Sequence, residues 1–126
     1  MQKCKILIAD DKSAIRLTLR TMLKFHFSDI IEAENGEEIL LLLEKYDDIS
    51  IILTDIEMPK LDGFETTEYI RTDFLYPKNA VPIIAVSSHT DNEYLAKCKK
   101  YGFNDVLIKP FTAADLLNMV NKYLKK

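Results

Sequence analysis

Asp10 and Asp11 stand side by side after one short apolar run, and Asp55 and Glu57 follow another. Ser87 and Ser88 come after a third run, and Lys109-Pro110 after a fourth. Carboxylates crowded into one place repel unless a cation neutralises them. Ligands that are all oxygen select a hard ion, and Mg²⁺ accepts one or two carboxylates plus a phosphate oxygen while keeping several waters. No His or Cys joins the set, which argues against zinc. A carboxylate can also attack phosphorus to give an acyl phosphate. Such a transfer needs charge neutralised on the phosphoryl oxygens, and a metal, a lysine and a hydroxyl donor do that.

Each of these residues also has an ordinary explanation. Asp10-Asp11 serves equally well as a helix cap followed by a first-turn acid that the helix dipole stabilises. Asp55 suits a turn, Lys109 a solvated surface charge, and Ser87-Ser88 a loop. Their joint position at the ends of apolar runs is what favours chemistry.

The runs themselves are Ile6–Ala9, Ile30–Ala33, Ile51–Leu53, Val81–Val86 and Val106–Ile108. Several are continuously apolar rather than alternating, as in strands covered on both faces of a parallel sheet. Helical periodicity fills the gaps. Ile15, Leu19, Met22 and Leu23 form one stripe, and Ala113, Leu116, Leu117, Val120 and Leu124 form another. Asn35-Gly36 and Asp62-Gly63 precede two further helices, and Asp91 and Thr112 are candidate N-caps for the last two. The pattern is βα repeated five times. Short right-handed crossovers then predict a doubly wound, flavodoxin-like α/β sandwich with a parallel sheet in the order 2-1-3-4-5. In such a sheet, function sits beyond the carboxyl ends of the strands, near the switch point between strands 1 and 3. Asp10, Asp11, Asp55, Ser87 and Lys109 all fall on that edge, while Glu34, after strand 2, lies off the switch point.

Four segments, "KILIADD", "LTDIEMPKLDGFE", "VPIIAVSSH" and "GFNDVLIKPF", resemble the response-regulator receiver family of CheY-like domains. The resemblance spans essentially the whole chain, 1–126. It implies a phosphoacceptor of a two-component system or phosphorelay, taking a phosphoryl group from a phosphohistidine onto Asp55. It makes Asp11 a direct Mg²⁺ ligand, has Asp10 act through water, and assigns the backbone carbonyl of Glu57 to the metal. Ser87 matches the switch hydroxyl and Lys109 the lysine that pairs with the phosphoryl group, and Lys109-Pro110 matches a bond the family often holds cis. The implied partners are a sensor or hybrid histidine kinase, a histidine phosphotransfer protein, or both, and a downstream protein target.

Three features depart from the common pattern. Ser88 stands where a small residue, usually Ala, follows the switch hydroxyl. Val106 stands where many members carry a Tyr or Phe that changes rotamer on phosphorylation, which leaves the usual readout in doubt; Tyr101 is one nearby aromatic. "EMPKLDGFETTEYIR" and "CKKYGFNDVLIKP" resemble receivers of hybrid kinases and phosphorelays more than those of DNA-binding regulators. His89 is expected as an exposed loop histidine that can also modulate dephosphorylation, and His26 as the end of the first helix. The Ile39–Leu43 run is expected to pack in the core on two sides of its helix. Phe111, Tyr94, Leu95 and Cys98 suit either helix packing or a partner surface.

Composition sets the remaining bounds. The 126 residues are 48% hydrophobic and 29% charged, with a net charge of −3, as for one globular domain. That charge disfavours direct binding to nucleic acid or anionic membrane, and no apolar run is long enough to span a bilayer. A cytoplasmic domain is expected, with Cys4 and Cys98 reduced and at least half-buried. A phosphatase with an aspartate nucleophile usually places its acid pair after strand 1 and needs a cap, for which no residues are spare. A flavodoxin-type electron carrier needs a hydroxyl- and glycine-rich phosphate loop where this chain has two acids. An inactive receiver is disfavoured by the full set of Asp10, Asp11, Asp55, Ser87 and Lys109. Slow hydrolysis of the acyl phosphate is expected.

Overall fold

The computed structural model describes residues 2–124. Its strands are β1 (Gln2–Ala9), β2 (Phe27–Ala33), β3 (Ile49–Thr54), β4 (Ile83–Ser87) and β5 (Asp105–Ile108). They alternate with α1 (Ser13–Leu23), α2 (Gly36–Lys45), α3 (Gly63–Asp73), α4 (Asn92–Tyr101) and α5 (Ala113–Leu124). A short 3-10 turn at Lys78–Ala80 precedes β4. The sheet is parallel, in the order β2-β1-β3-β4-β5. This is the flavodoxin-like arrangement that the five βα repeats predict.

The continuous apolar runs have a direct physical reason. Successive strand side chains point to opposite faces, and here both faces are dry. Leu7, Ala9, Ile52, Ile83 and Ala85 meet Ile39 and Leu43 of α2, Ile70 of α3 and Cys98 of α4. Ile6, Ile8, Ile51, Leu53, Ile84 and Val86 meet Leu19 and Leu23 of α1 and Leu116 and Val120 of α5. Alternation is absent because no strand face of this core is left to water.

Local caps set where the helices begin. Asn35 accepts from the Glu38 amide, and Asp91 accepts from that of Tyr94. Asp62 and Glu65 form a reciprocal capping box, as do Thr112 and Asp115. α1 differs: Lys12 precedes it and provides no side-chain cap. The two acids before α1 are therefore not used as its cap.

Two expectations need correction. α1 ends at Leu23 with Lys24 as its C-cap, so His26 lies beyond the helix, in the turn that brings Phe27 into the core. The Ile39–Leu43 run is not covered on two sides. Ile39 and Leu43 are buried, but Leu41 is 64% exposed. A surface helix has room for one apolar stripe against its sheet, and residues two apart point away from each other. Cys4 is half-buried and Cys98 buried, both as free thiols, and burial pushes the Cys98 thiol up. The Tyr76–Pro77 and Lys109–Pro110 bonds are cis, the second as expected.

Candidate functional site

The carboxyl ends of β1 and β3 are tied together where they finish. The Asp55 amide donates to the Ala9 carbonyl at 2.9 Å, and that of Asp10 donates to the Ala33 carbonyl at 3.2 Å. Asp10 and Asp55 are thereby held on adjacent strand ends. Asp10 is 2% exposed. Its Oδ1 accepts from the Lys12 amide at 2.9 Å, and its carbonyl accepts from Arg16 Nη1 at 2.7 Å. Asp55 Oδ1 accepts from the Ile56 amide at 2.8 Å, while Thr54 Oγ1 donates to the Asp55 carbonyl at 2.8 Å.

Carboxylate oxygens of Asp10, Asp11 and Asp55 all lie within 4.8 Å of one another. That proximity is expensive for the bare protein. Burial pushes the Asp10 carboxyl above its ordinary range, and the charges of Asp55 and Asp11 push it further. The Lys12 amide and the Lys109 ammonium act in the opposite direction without overcoming burial. The donor set is all oxygen, one member is buried, and the acids lack enough positive charge among them. Such a site fits a small hard divalent cation, and Mg²⁺ matches its size and donors.

Ser87 ends β4 and is 4% exposed, with its Oγ accepting from the His89 amide at 3.1 Å. Lys109 follows β5, and its amide donates to the Ser87 carbonyl at 2.8 Å, which joins the two neighbouring strand ends. Asp10, Asp11, Asp55, Ser87 and Lys109 thus share one rim. Glu57 lies in the loop after Asp55, and its carboxylate turns outward to solvent.

A tight turn positions that loop. The Gly63 amide donates to the Ile56 carbonyl at 2.7 Å. A Cβ on Gly63 would meet Ile56 Cα at 2.8 Å and the Asp55 carbonyl oxygen at 2.9 Å. Any side chain at 63 would push the start of α3 away from Asp55.

The contacts that some neighbours of the site make with one another carry no local signal in the sequence. His89 is stacked on Tyr94, with ring centroids 4.2 Å apart and 19° between planes, and its Nε2 lies 3.6 Å from Glu57 Oε2. Tyr94 also packs edge-on against Phe64 at 5.6 Å. Burial pushes its phenol up, the nearby Ser87 hydroxyl works against that, and Cys98, Glu57 and Asp55 reinforce burial. His89 is exposed, as expected, but it is not a free loop residue. Tyr101 packs against Phe64 at 5.2 Å instead of facing Ser87. Arg16 and Arg20 both bind Glu32, at 2.8 and 2.6 Å, which braces α1 against β2 beside Asp10. The one signal for Tyr94 is its place in the first turn of α4, the helix that follows Ser87.

The family model for the response regulator receiver domain matches residues 6–121, and the chain belongs to that family. It is a phosphoacceptor domain of two-component signalling, a signalling protein whose acidic cluster suits Mg²⁺. The chain is 33% identical over 109 residues to the chemotaxis protein CheY homolog of Campylobacter jejuni, covering 86% of this chain and 82% of the relative. It is 34% identical over 116 residues to the CAI-1 autoinducer sensor kinase/phosphatase CqsS of Vibrio cholerae, covering 92% of this chain but 17% of that protein. Among solved structures it is similar to Vibrio cholerae CheY4, with a TM-score of 0.87 and 27% identity over 98% of this chain and all of that one. The receiver domain of sensor histidine kinase PA1611 from Pseudomonas aeruginosa gives a TM-score of 0.87 at 25% identity, covering 99% of this chain and 100% of that one. That structure has magnesium coordinated in its active site cleft. Relatives thus include both chemotaxis regulators and receivers within sensor kinases. No helix of the described residues is long and apolar enough to cross a membrane.

Proposed function

We propose that Asp55 is the phosphoacceptor and that Asp10, Asp11, Ser87, Lys109 and the Glu57 backbone carbonyl complete its site. The observation that carries this is the gathering of the three carboxylates within 4.8 Å, with Ser87 and Lys109 on the neighbouring strand ends. Asp11, Asp55 and the Glu57 carbonyl would hold Mg²⁺, with Asp10 acting through water, and the bound ion would supply charge neutralisation on the phosphoryl oxygens. An Asp55 carboxylate oxygen attacks phosphorus of a phosphohistidine in line. The O–P bond forms as the P–N bond breaks, and the bonding pair leaves with the imidazole nitrogen. Ser87 Oγ already accepts from the His89 amide, so its own proton is directed elsewhere and can be donated to a phosphoryl oxygen. The Lys109 ammonium pairs with another. Water later hydrolyses the acyl phosphate slowly.

Val106 offers no ring or hydroxyl to follow Ser87, so the readout moves to α4. Tyr94 lies close enough to the Ser87 hydroxyl for Ser87 to act on its phenol, and it carries His89 stacked on its ring. When Ser87 turns to the phosphoryl group, the surroundings of the Tyr94 phenol change, and the first turn of α4 is free to shift.

The donor is a sensor or hybrid histidine kinase, and the resemblance to kinase-borne receivers supports exchange with a histidine phosphotransfer protein. The test is incubation with acetyl phosphate and Mg²⁺ followed by intact-mass measurement. One added phosphoryl group is expected, absent in Asp55→Asn and after chelation of the metal. Labelling that survives Asp55→Asn overturns the assignment. Return of phosphate from the labelled chain to a histidine phosphotransfer domain supports the relay; transfer that runs only from a kinase to the chain counts against it.

A further inference from the structure

Leu41, Tyr69, Leu75 and Tyr76 leave 64%, 47%, 86% and 81% of their surface in solvent. None of them has a packing role that demands an apolar residue, yet they are not scattered. All four line one groove of about 770 Å³ between α2, the end of α3 and the segment that leads into β4. The half-buried Leu40 and Phe74 add to its apolar lining. The remaining large exposed apolar side chains among the described residues, Leu17 and Phe25, belong to α1 and the turn after it. The 74–82 segment runs into the amino end of β4, so this end of the groove lies at the opposite edge of the sheet from Asp55. An exposed apolar patch with a polar rim marks a docking surface.

The rim is acidic. Glu37, Glu44 and Asp73 border the groove, and Lys78 is the cation among its lining residues. Lys78 is already engaged: its Nζ lies 3.1 Å from Asp47 and donates to the Glu44 carbonyl at 3.2 Å. An occupant therefore meets an apolar trough with negative edges. A second copy set groove to groove about a two-fold axis would bring two acidic rims together, which like-charge repulsion opposes.

The geometry points to a docking site for an amphipathic helix of a partner protein, with Leu, Met or Phe along one face and Lys or Arg flanking it. Such a helix seats its apolar side chains in the groove at i, i+3, i+4 and i+7 spacing, and its cations match the rim. The surface is separate from the phosphoacceptor site and does not depend on the reading of that site.

Two synthetic helical peptides of roughly 18 residues, about five turns, test this with the unphosphorylated chain. They share a Leu/Phe stripe and differ only in flanking Lys/Arg or Glu. In a ¹⁵N NMR titration the basic peptide is expected to shift amides of 37–44 and 69–78 in a saturable way. The acidic peptide should bind at least ~10-fold more weakly, a difference of about 1.4 kcal/mol. Leu75→Ser with Tyr76→Ser should weaken the basic peptide ~10-fold with little change in melting temperature, since both side chains are exposed. Glu44→Lys with Asp73→Lys should reverse the preference. No saturable shift, shifts centred elsewhere, or equal affinity for the two peptides overturns the proposal. So does a concentration-dependent dimer in sedimentation whose contact maps to these amides, because the occupant is then a second copy.

Discussion

Asp10 is a buried carboxyl set among like charges. Its folded-state pKa is raised, so the folded chain holds this proton more tightly than the unfolded chain does. Its contribution to stability is therefore present below the ordinary carboxylate range and is lost as pH rises through the folded pKa. At neutral pH and free of Mg²⁺, Asp10→Asn should raise the melting temperature by a few degrees, the change expected for roughly 1 kcal/mol. The gain should shrink as the pH is lowered through the Asp10 titration; a pH-independent effect in thermal melts would contradict the buried-charge argument. Tyr94 belongs to the same scale. Tyr94→Phe keeps the ring stack but removes the hydroxyl that lies near Ser87. It should take up phosphoryl from acetyl phosphate within about twofold of the wild-type rate, since it provides no group to the transfer. The amide shifts of α4 on adding beryllofluoride and Mg²⁺ should be attenuated. An unaltered α4 response would return the readout to some other residue.

At the scale of elements, one side chain fastens several connections. Arg71 of α3 donates to the Gly102 carbonyl at 3.0 Å, the Asn79 and Val81 carbonyls at 2.9 and 2.8 Å, and Asn104 Oδ1 at 2.8 Å. Burial lowers the Arg71 pKa, yet the guanidinium keeps its charge because an ordinary arginine lies so high. It ties α3 to the segment before β4 and to the turn between α4 and β5. Gly102 has φ of +108°, and a Cβ there would meet Arg71 Cγ at 2.8 Å, so glycine is required on both counts. Arg71→Ala strands the carbonyl of buried Val81 and those of half-buried Asn79 and Gly102, and should cost about 2–4 kcal/mol in urea unfolding. Arg71→Lys should recover only part, because an ammonium cannot reproduce the planar fork. Full recovery by lysine would mean that charge, not geometry, carries the role.

For the whole molecule, the sheet supports two kinds of surface. Its carboxyl edge gathers the phosphoacceptor cluster, and the α2/α3 side carries the apolar groove. Binding of Mg²⁺ to the folded chain alone must stabilise the whole domain, by ~2.7 kcal/mol at a concentration 100 times the dissociation constant. The melting temperature should therefore climb with Mg²⁺ concentration. Asp11→Asn should abolish most of that climb while leaving the metal-free stability little changed, because Asp11 is exposed. An undiminished Mg²⁺ response in Asp11→Asn would remove it from the ligand set.

Strand runs, helix stripes and the polar residue after each strand are short-range patterns, and they determined the βα order, the parallel sheet and the shared edge of Asp10, Asp11, Asp55, Ser87 and Lys109. A parallel sheet leaves those residues nowhere else to go. The caps Asp91 and Thr112 were legible for the same local reason, and the cis Lys109–Pro110 bond through the family resemblance. Tertiary structure alone decided what depends on how elements lie against one another. It left Leu41 in solvent because α2 has a single sheet-facing stripe, and it brought Tyr69, Leu75 and Tyr76 beside it to make a groove. It stacked His89 on Tyr94 and turned Tyr101 toward Phe64. Those contacts join side chains from different elements, and periodicity along a chain records which face is buried, not which neighbour covers it.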